Sequence, residues 1–411
     1  MRILVLSNLY PNPYQPHRAT FNRNQIRCLA KKHQVRVIAP IAWTDELKAK
    51  RSHKPSLPKD RQVHLDGIVV DHPRYWFPPK VLRGQYGRFY RASVRKTFDR
   101  VLNDFRPEVI YTPWAYPDGW AAVELGRRAA VPVVLKVHGS DVLLLSRFPA
   151  RRAATAHALR RADTVIAVSR DLLSQVVRLG TSPERVTVIY DGVDTTVFRR
   201  GSRVEARNRL NLSDRKIVLL SIGNLVPVKG HSILIDACAH LSRNGVEFNC
   251  FIFGDGPLRA RLQEQISAHA LQDRIKLMGS LPQQQLADWY RACDLFLLPS
   301  YSEGVPNVLL EAAACGAAFV ASSVGGIPEI AHLACSILVR PGEAAVLAAG
   351  IERALRDDFD PSSATEEVRD VTETVSELER SLAAVCVRPS SAPPDEEGVD
   401  VAEFRATFRC Q

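Results

Sequence analysis

The stretch Ser300–Gly316, SYSEGVPNVLLEAAACG, holds two glutamates eight residues apart around a turn that opens a helix. It follows the apolar run Leu295-Phe296-Leu297-Leu298-Pro299, which reads as a strand. Gly304-Val305-Pro306-Asn307 turns the chain, and Pro306 suits the first helical position, where its missing N–H would go unused anyway. Gly316 suits the helix end. A helix start carries free backbone N–H groups and positive dipole density, so it can hold an anion such as a diphosphate. Glu303 sits in the loop and Glu311 about two turns in, at most about 12 Å apart along a helix axis. That span lets them grip opposite ends of a ligand whose phosphates rest at the helix start. Both could be idle surface residues. However, a charged side chain directly after a buried strand's carboxyl end stands where α/β sheets bind ligands.

Other residues take similar positions. Ile217–Gly230, IVLLSIGNLVPVKG, reads as strand, glycine turn and helix start, with Lys229 able to neutralise phosphate oxygens as a point charge. A lone lysine is weak evidence; it gains weight from the 303–311 element in the same domain. Phe251-Ile252-Phe253-Gly254-Asp255-Gly256-Pro257 runs a strand into a glycine turn without completing a dinucleotide fingerprint. His138 ends the strand Val133–Val137, where it can hydrogen-bond a sugar hydroxyl or a phosphate, or move a proton. Trp114 and Asp118, after the strand Val109-Ile110-Tyr111, are of types that contact sugars, although core packing accounts for Trp114 equally well. There is no GxSxG elbow, HExxH or P-loop.

These residues need a scaffold that brings strand ends together. Continuous apolar runs at 2–7, 35–39, 67–71, 108–112, 132–138, 163–168 and 185–190 are strands covered on both faces. So are runs at 216–222, 247–253, 274–278, 294–298, 318–322 and 335–339. Stretches of helical length lie between them, so the sheets are parallel with right-handed crossovers. The alternation breaks after Tyr190, and a boundary near residue 200 divides 1–200 from 201–360. Two Rossmann-like, doubly wound domains then face each other across a ligand-binding cleft. Residues 365–385 read as a helix, and 387–411, rich in Pro, Ser and acid, as a disordered tail.

Composition excludes other classes. Of 411 residues 46% are hydrophobic and 24% charged, so a wholly disordered chain is ruled out. No apolar run is long enough to span a bilayer, and the N-terminal run is too short for a signal peptide. The eight cysteines are scattered without a CxxC, as expected of reduced thiols in the cytoplasm rather than of disulfides or zinc. The net charge of +11 is lopsided: residues 1–200 hold 35 Lys and Arg against 16 Asp and Glu, the remainder 20 against 28. The first half therefore faces something anionic: nucleic acid, a membrane surface or phosphorylated substrates. Gln85–Pro107 spells a basic amphipathic helix, mainly an ordinary cover for a sheet, with membrane contact as a second role for its outer face.

Together these residues resemble the retaining glycosyltransferases of family 4, which have the GT-B fold, from Arg2 to about Leu382. Glu303-Gly304-Val305-Pro306-Asn307-Val308-Leu309-Leu310-Glu311-Ala312 is similar to that family's Glu-x7-Glu element. His138-Gly139-Ser140-Asp141, Asp191-Gly192-Val193-Asp194, Gly254-Asp255-Gly256-Pro257 and Val324-Gly325-Gly326-Ile327-Pro328-Glu329 add to the likeness. Tyr10-Pro11-Asn12-Pro13, Phe21 and Gln25 fit bacterial cell-surface polysaccharide transferases, including the teichuronic-acid type. The resemblance implies transfer from a nucleotide-diphosphate sugar, UDP favoured over GDP, to a lipid-linked or polysaccharide acceptor. It implies no metal and no nucleic acid, and a cytoplasmic protein that can sit on the inner face of the plasma membrane. It gives Glu311 the ribose hydroxyls, and Glu303 the transferred sugar or the charge at its anomeric carbon. Lys229 and the backbone of Gly304, Val305 and Pro306, with Asn224, Asn307 and Gly254 beside them, take the diphosphate side. His138 touches the donor sugar from the first domain, and Ala19, Trp114, Asp118 and Asp141 stand on the acceptor side. The helix near 365–385 packs back on the first domain.

Two positions depart from the family. Asn224 stands where many relatives have Arg, which leaves more of the phosphate charge to Lys229. Ala19 stands where relatives tend to have Gly, which costs stability if that backbone needs positive φ. Both motivate an alternative, a non-catalytic GT-B subunit of a polysaccharide assembly complex. A nucleotide-sugar 2-epimerase would need an acid/base set around the sugar's second carbon, and no such set is visible.

Overall fold

Parallel strands buried on both faces pair best when helices cover each side, and the computed structural model is built this way. It describes residues 1–54, 56–144, 147–213, 215–333, 335–356 and 368–387. The tail expected at 387–411 lies outside the described residues from 388 on, and Val387 closes the last helix.

The first half forms β1 (Arg2–Leu6), β2 (Gln34–Ile38), β3 (Ile41–Ala42), β4 (Gln62–Leu65), β5 (Ile68–Asp71), β6 (Arg74–Tyr75), β7 (Val109–Thr112), β8 (Val133–Val137), β9 (Thr164–Ala167) and β10 (Val186–Val188). Eight of these make one sheet in the order β10-β9-β8-β7-β1-β2-β5-β4, and β3 pairs with β6 apart from it. All its pairings are parallel except β4 with β5. That hairpin departs from the uniform parallel pattern expected from the apolar runs. It turns on Asp66-Gly67, both at positive φ (54° and 77°), the two-residue geometry that matches strand twist.

The second half forms β11 (Ile217–Ile222), β12 (Phe248–Phe253), β13 (Ile275–Gly279), β14 (Leu295–Leu298), β15 (Phe319–Ser322) and β16 (Ser336–Val339), all parallel, in the order β13-β12-β11-β14-β15-β16. Strand order reverses between β11 and β14, and the loops leaving them part to open a crevice.

The helix Val371–Val387 crosses back to the first sheet. Its Val371, Val375, Leu378, Leu382 and Val385 are buried with Ile3, Val5, Val109 and Val134. The expected helix began at 365; residues 365–367 lie outside the described residues. The helix Tyr86–Phe105 buries Tyr90, Val94, Phe98 and Val101 against the first core and leaves its arginines outside, as a sheet-covering helix does.

Candidate active site in the cleft

Two loops at the reversal point carry the charged groups. The turn Pro227–Lys229 follows β11, and the amide of Tyr301 donates to Val228 O at 2.8 Å, tying it to the loop after β14. This brings Lys229 Nζ to 2.6 Å from Glu303 Oε1, across 74 residues of chain. Both side chains are mostly shielded, 23% and 9% exposed, so the pair is screened far less than a surface pair.

The helix Asn307–Ala314 starts beside this pair. Pro306 stands one residue before it, in extended backbone, rather than as its first residue. No side chain caps the helix start, and Asn307 Oδ1 is buried without a partner among the described residues. Glu311 lies just over one turn in and is 5% exposed. The Tyr290 hydroxyl donates to its Oε2 at 2.8 Å and the Gln283 amide to its Oε1 at 3.0 Å. Burial pushes its carboxyl up to about 7, against the opposing pull of these two hydrogen bonds.

Gly254 supports the crevice from below. A Cβ there would fall 2.0 Å from Gly223 O, so only glycine lets the strand end pass under the loop that carries Asn224. Asn224 itself is exposed at the end of β11.

The opposite wall comes from the first domain. His138 ends β8, and its carbonyl lies so near Gly304 that a Cβ there would fall 2.1 Å away. His138 and the Glu303 loop therefore meet backbone to backbone across the cleft. The His138 Nε2 is buried without a partner among the described residues. Its Nδ1 lies 3.8 Å from Asp191 Oδ2, an ion-pair distance rather than a hydrogen bond, and its ring meets Phe21 edge-on. Asp191 holds Lys136 at 2.5 Å and accepts from the Gln25 amide at 2.9 Å. Burial opposes ionisation of Asp191, but the charge of Lys136, with His138 beside it, outweighs this and keeps its carboxyl well below the usual range.

The four residues expected on the acceptor side all belong to the first domain. Asp118 is fully buried: Ser7 Oγ and the Asn8 amide donate to its Oδ2 at 3.1 and 2.8 Å, and burial pushes it up to about 7. Asp141 accepts from the amides of Ala115, His138 and Gly139 at 3.0–3.1 Å, so it braces the strand end that carries His138; burial raises its pKa. Asp141 is thus engaged with groups of its own domain through both oxygens and Asp118 through Oδ2, whereas Asp118 Oδ1 is buried without a partner among the described residues. Trp114 is half-buried in the loop after β7. Ala19 caps the helix Thr20–Ala30 in left-handed backbone, φ 47°.

A crevice unites both lobes: Phe21, Asn24, Gln25, Asp191 and Asp194 line one side, Gln283, Asn307 and Glu311 the other. Amides, carboxylates and an aromatic ring are the groups that hold polyols. Among the described residues, no cluster of three or more His, Cys, Asp or Glu could hold a metal ion. Sequence reading passed over Lys136, Gln283 and Tyr290. A lysine in the apolar strand VVLKV was a usable signal for the first; the other two become visible only once helix Gln283–Ala292 packs on helix Asn307–Ala314.

A second contact latches the lobes. Glu329 accepts from the amides of Arg170 and Asp171, each at 2.8 Å, at the start of helix Arg170–Arg178, and from the Tyr190 hydroxyl at 2.6 Å. It thereby meets the helix dipole and the unpaired N–H groups together. Nearby, the Gly326 amide donates to Gly304 O at 2.8 Å, which links the latch to the Glu303 loop.

Two family models match the chain: Glycosyltransferase Family 4 over residues 19–197 and Glycosyl transferases group 1 over 202–371. A teichuronic acid biosynthesis glycosyltransferase of Bacillus subtilis is 29% identical over 361 residues, 86% of this chain and 89% of its own. A D-inositol 3-phosphate glycosyltransferase of Catenulispora acidiphila is 30% identical over 334 residues, 75% of this chain and 77% of its own. Among solved structures, HepE of Anabaena, crystallised with UDP and glucose, superposes with a TM-score of 0.73 at 22% identity, covering 93% of this chain and all (100%) of that one. Sucrose-phosphate synthase of Thermosynechococcus elongatus gives 0.71 at 19%, covering 93% and 96%. The chain belongs to glycosyltransferase family 4, of the bacterial polysaccharide type, with the two-domain GT-B fold, and its reaction is sugar transfer in glycan biosynthesis.

Proposed function

We propose that the protein transfers a hexosyl or hexosaminyl group, with retention, from a nucleotide-diphosphate sugar to an acceptor in cell-surface polysaccharide assembly. The observation that carries this reading is the Lys229–Glu303 pair beside an uncapped helix start, with Glu311 behind it and His138 across the cleft. In the closed cleft, Lys229 exchanges Glu303 for the diphosphate, and the amides at the helix start share that charge. These cationic and dipolar groups do the work of a metal ion, so transfer runs without one. The bond from the anomeric carbon to the diphosphate oxygen breaks, and Glu303 stabilises the positive charge that builds there. The acceptor oxygen bonds to that carbon on the same face, and its proton passes to the departing diphosphate. Glu311 accepts from the ribose hydroxyls, and His138 Nε2 contacts the donor sugar. Asn224, Asn307, Gly254 and the backbone at 304–306 frame the donor; Ala19, Trp114, Asp118 and Asp141 shape the first-domain wall.

The UDP complexes of HepE favour a UDP-sugar over a GDP-sugar. Division near residue 200, with Val371–Val387 returning to the first domain, gives each lobe one wall of the cleft. No helix among the described residues is long and apolar enough to cross a membrane. The protein works in the cytoplasm, with an acceptor presented at the inner membrane face. The test is UDP release from UDP-sugars with extracted acceptors. Lys229→Ala and Glu303→Ala each abolish turnover while thermal unfolding stays cooperative; full activity in both removes the proposal.

A further inference from the structure

A lysine lies buried inside the first domain. Lys136 belongs to the apolar strand β8 and is 1% exposed; its partner Asp191 is 4% exposed. Lys136 Nζ donates to Asp191 Oδ1 at 2.5 Å and to Gln25 Oε1 at 3.2 Å, and the Gln25 amide donates to the same Asp191 oxygen at 2.9 Å. Three distant stretches of chain thus close a triangle: β8, the loop after β10 and the helix Thr20–Ala30. Burying two charges forfeits their hydration, so a well-packed apolar pair of similar volume is commonly as stable or more so. Stability alone therefore gives little reason for the pair, and what else it touches matters more.

His138 directly follows β8, two residues after Lys136. Side chains two apart along a strand share a face, and Asp191 meets both. Its Oδ1 takes Lys136, while its Oδ2 lies 3.8 Å from His138 Nδ1. The ion pair thus points its negative end at the imidazole. Under a cover of protein that field favours a proton on Nδ1 over one on Nε2. Phe21 packs edge-on against the ring at 5.0 Å between centroids, and the His138 amide donates to Asp141 Oδ1 at 3.1 Å, so ring and backbone are both held.

We infer that Lys136, Asp191 and Gln25 are positioning residues that keep His138 in its Nδ1–H form, so that Nε2 presents a lone pair and accepts from a hydroxyl of the donor sugar. Nε2 is buried without a partner among the described residues, which suits an acceptor reserved for a ligand. Burial opposes ionisation of Asp191, and the charge of Lys136 overcomes it, which is the part the lysine plays. The inference rests on the proposed contact between His138 and the donor sugar, and it specifies the direction of that hydrogen bond.

The experiment is magnetic resonance of the full chain with isotopically labelled histidine rings, the His138 signals being assigned by their loss in His138→Gln. At a pH where the ring is neutral, the wild type shows a protonated Nδ1 and a bare Nε2. Lys136→Met alone strands the Asp191 carboxylate in the interior and lowers the melting temperature. Lys136→Met combined with Asp191→Asn removes both charges and restores it. In that double variant His138 nevertheless loses its preference for Nδ1–H, and UDP release across a panel of UDP-sugars slows roughly tenfold, the worth of one hydrogen bond. UDP alone binds the double variant as it binds the wild type, since His138 meets the sugar and not the nucleotide. Wild-type ring signals and turnover in the double variant would mean a purely structural pair and overturn the inference. So would a wild-type ring protonated on Nε2, or an equal loss of UDP affinity, which would make Asp191 a nucleotide contact. If the wild type releases no UDP, the proposed function fails, while the ring signals still decide whether Lys136 and Asp191 set the tautomer.

Discussion

Replacing Glu311 with Gln tests how burial tunes the donor site. An ordinary glutamate loses its proton near 4.5, whereas Glu311 holds its proton to about 7. At about 1.4 kcal/mol per pH unit, the fold disfavours the ionised form by roughly 3 kcal/mol. The sign follows from linkage. Between pH 4.5 and 7 the unfolded chain has released this proton and the folded chain has not, so stability from the protonated form is full below 4.5 and gone above 7. Glu311→Gln cannot ionise. Wild type and variant are therefore about equally stable near pH 4.5, and the variant is more stable by roughly 3 kcal/mol above pH 7. Asp118, also raised to about 7, titrates in both proteins and cancels in the difference. Donor binding moves the other way. Ribose hydroxyls donate to the carboxylate, so wild-type affinity for UDP-glucose climbs as pH rises through 7, while the variant binds roughly 10- to 100-fold more weakly with a flat pH profile. Urea unfolding across this range measures the first effect, and calorimetric titration the second. A stability difference independent of pH would refute the burial argument; unchanged UDP-glucose affinity would refute the ribose contact.

Two further outcomes are expected. Glu329→Ala removes the carboxylate seated on the Arg170 and Asp171 amides, so the closed form loses about 2 kcal/mol, roughly 30-fold in its ratio to the open form. Spin labels on the two lobes then report a broader distance distribution, and an unaltered one speaks against the latch. Ala19→Gly relieves a left-handed alanine at φ 47°. It stabilises the protein by about 0.5–1 kcal/mol, the strain removed less the added freedom of the unfolded chain, and thermal denaturation shows this as a higher Tm. A lower Tm would mean that the strain is not real.

The layers and the cleft were legible because apolar runs and helical stretches alternate with a period that local chemistry enforces. The Asp66-Gly67 hairpin was legible too, in a two-residue turn signal that the apolar-run reading passed over. Pro306 stands one residue before the helix rather than in its first position, a shift of the size that fraying helix ends commonly show. Asp118 and Asp141 show where the reading stopped. Acid next to a strand end suggests ligand contact, but nothing in the local pattern says whether the side chain points to the cleft or to its own backbone. Asp118 Oδ2 and both Asp141 oxygens accept from the amides of Asn8, Ala115, His138 and Gly139, while Asp118 Oδ1 has no partner among the described residues.

By itself the sequence determined two sheets of mainly parallel strands, the glutamate spacing around one helix start, and the uneven charge, because periodicity, turn residues and composition act over a few residues at a time. Tertiary structure alone decided that Lys229 meets Glu303, that Glu311, hydrogen-bonded by Tyr290 and Gln283, lies in a buried site that pushes its carboxyl up to about 7, and that Glu329 clasps the opposite lobe. Each of these depends on desolvation and on partners far along the chain, and both come into being only when the two lobes pack.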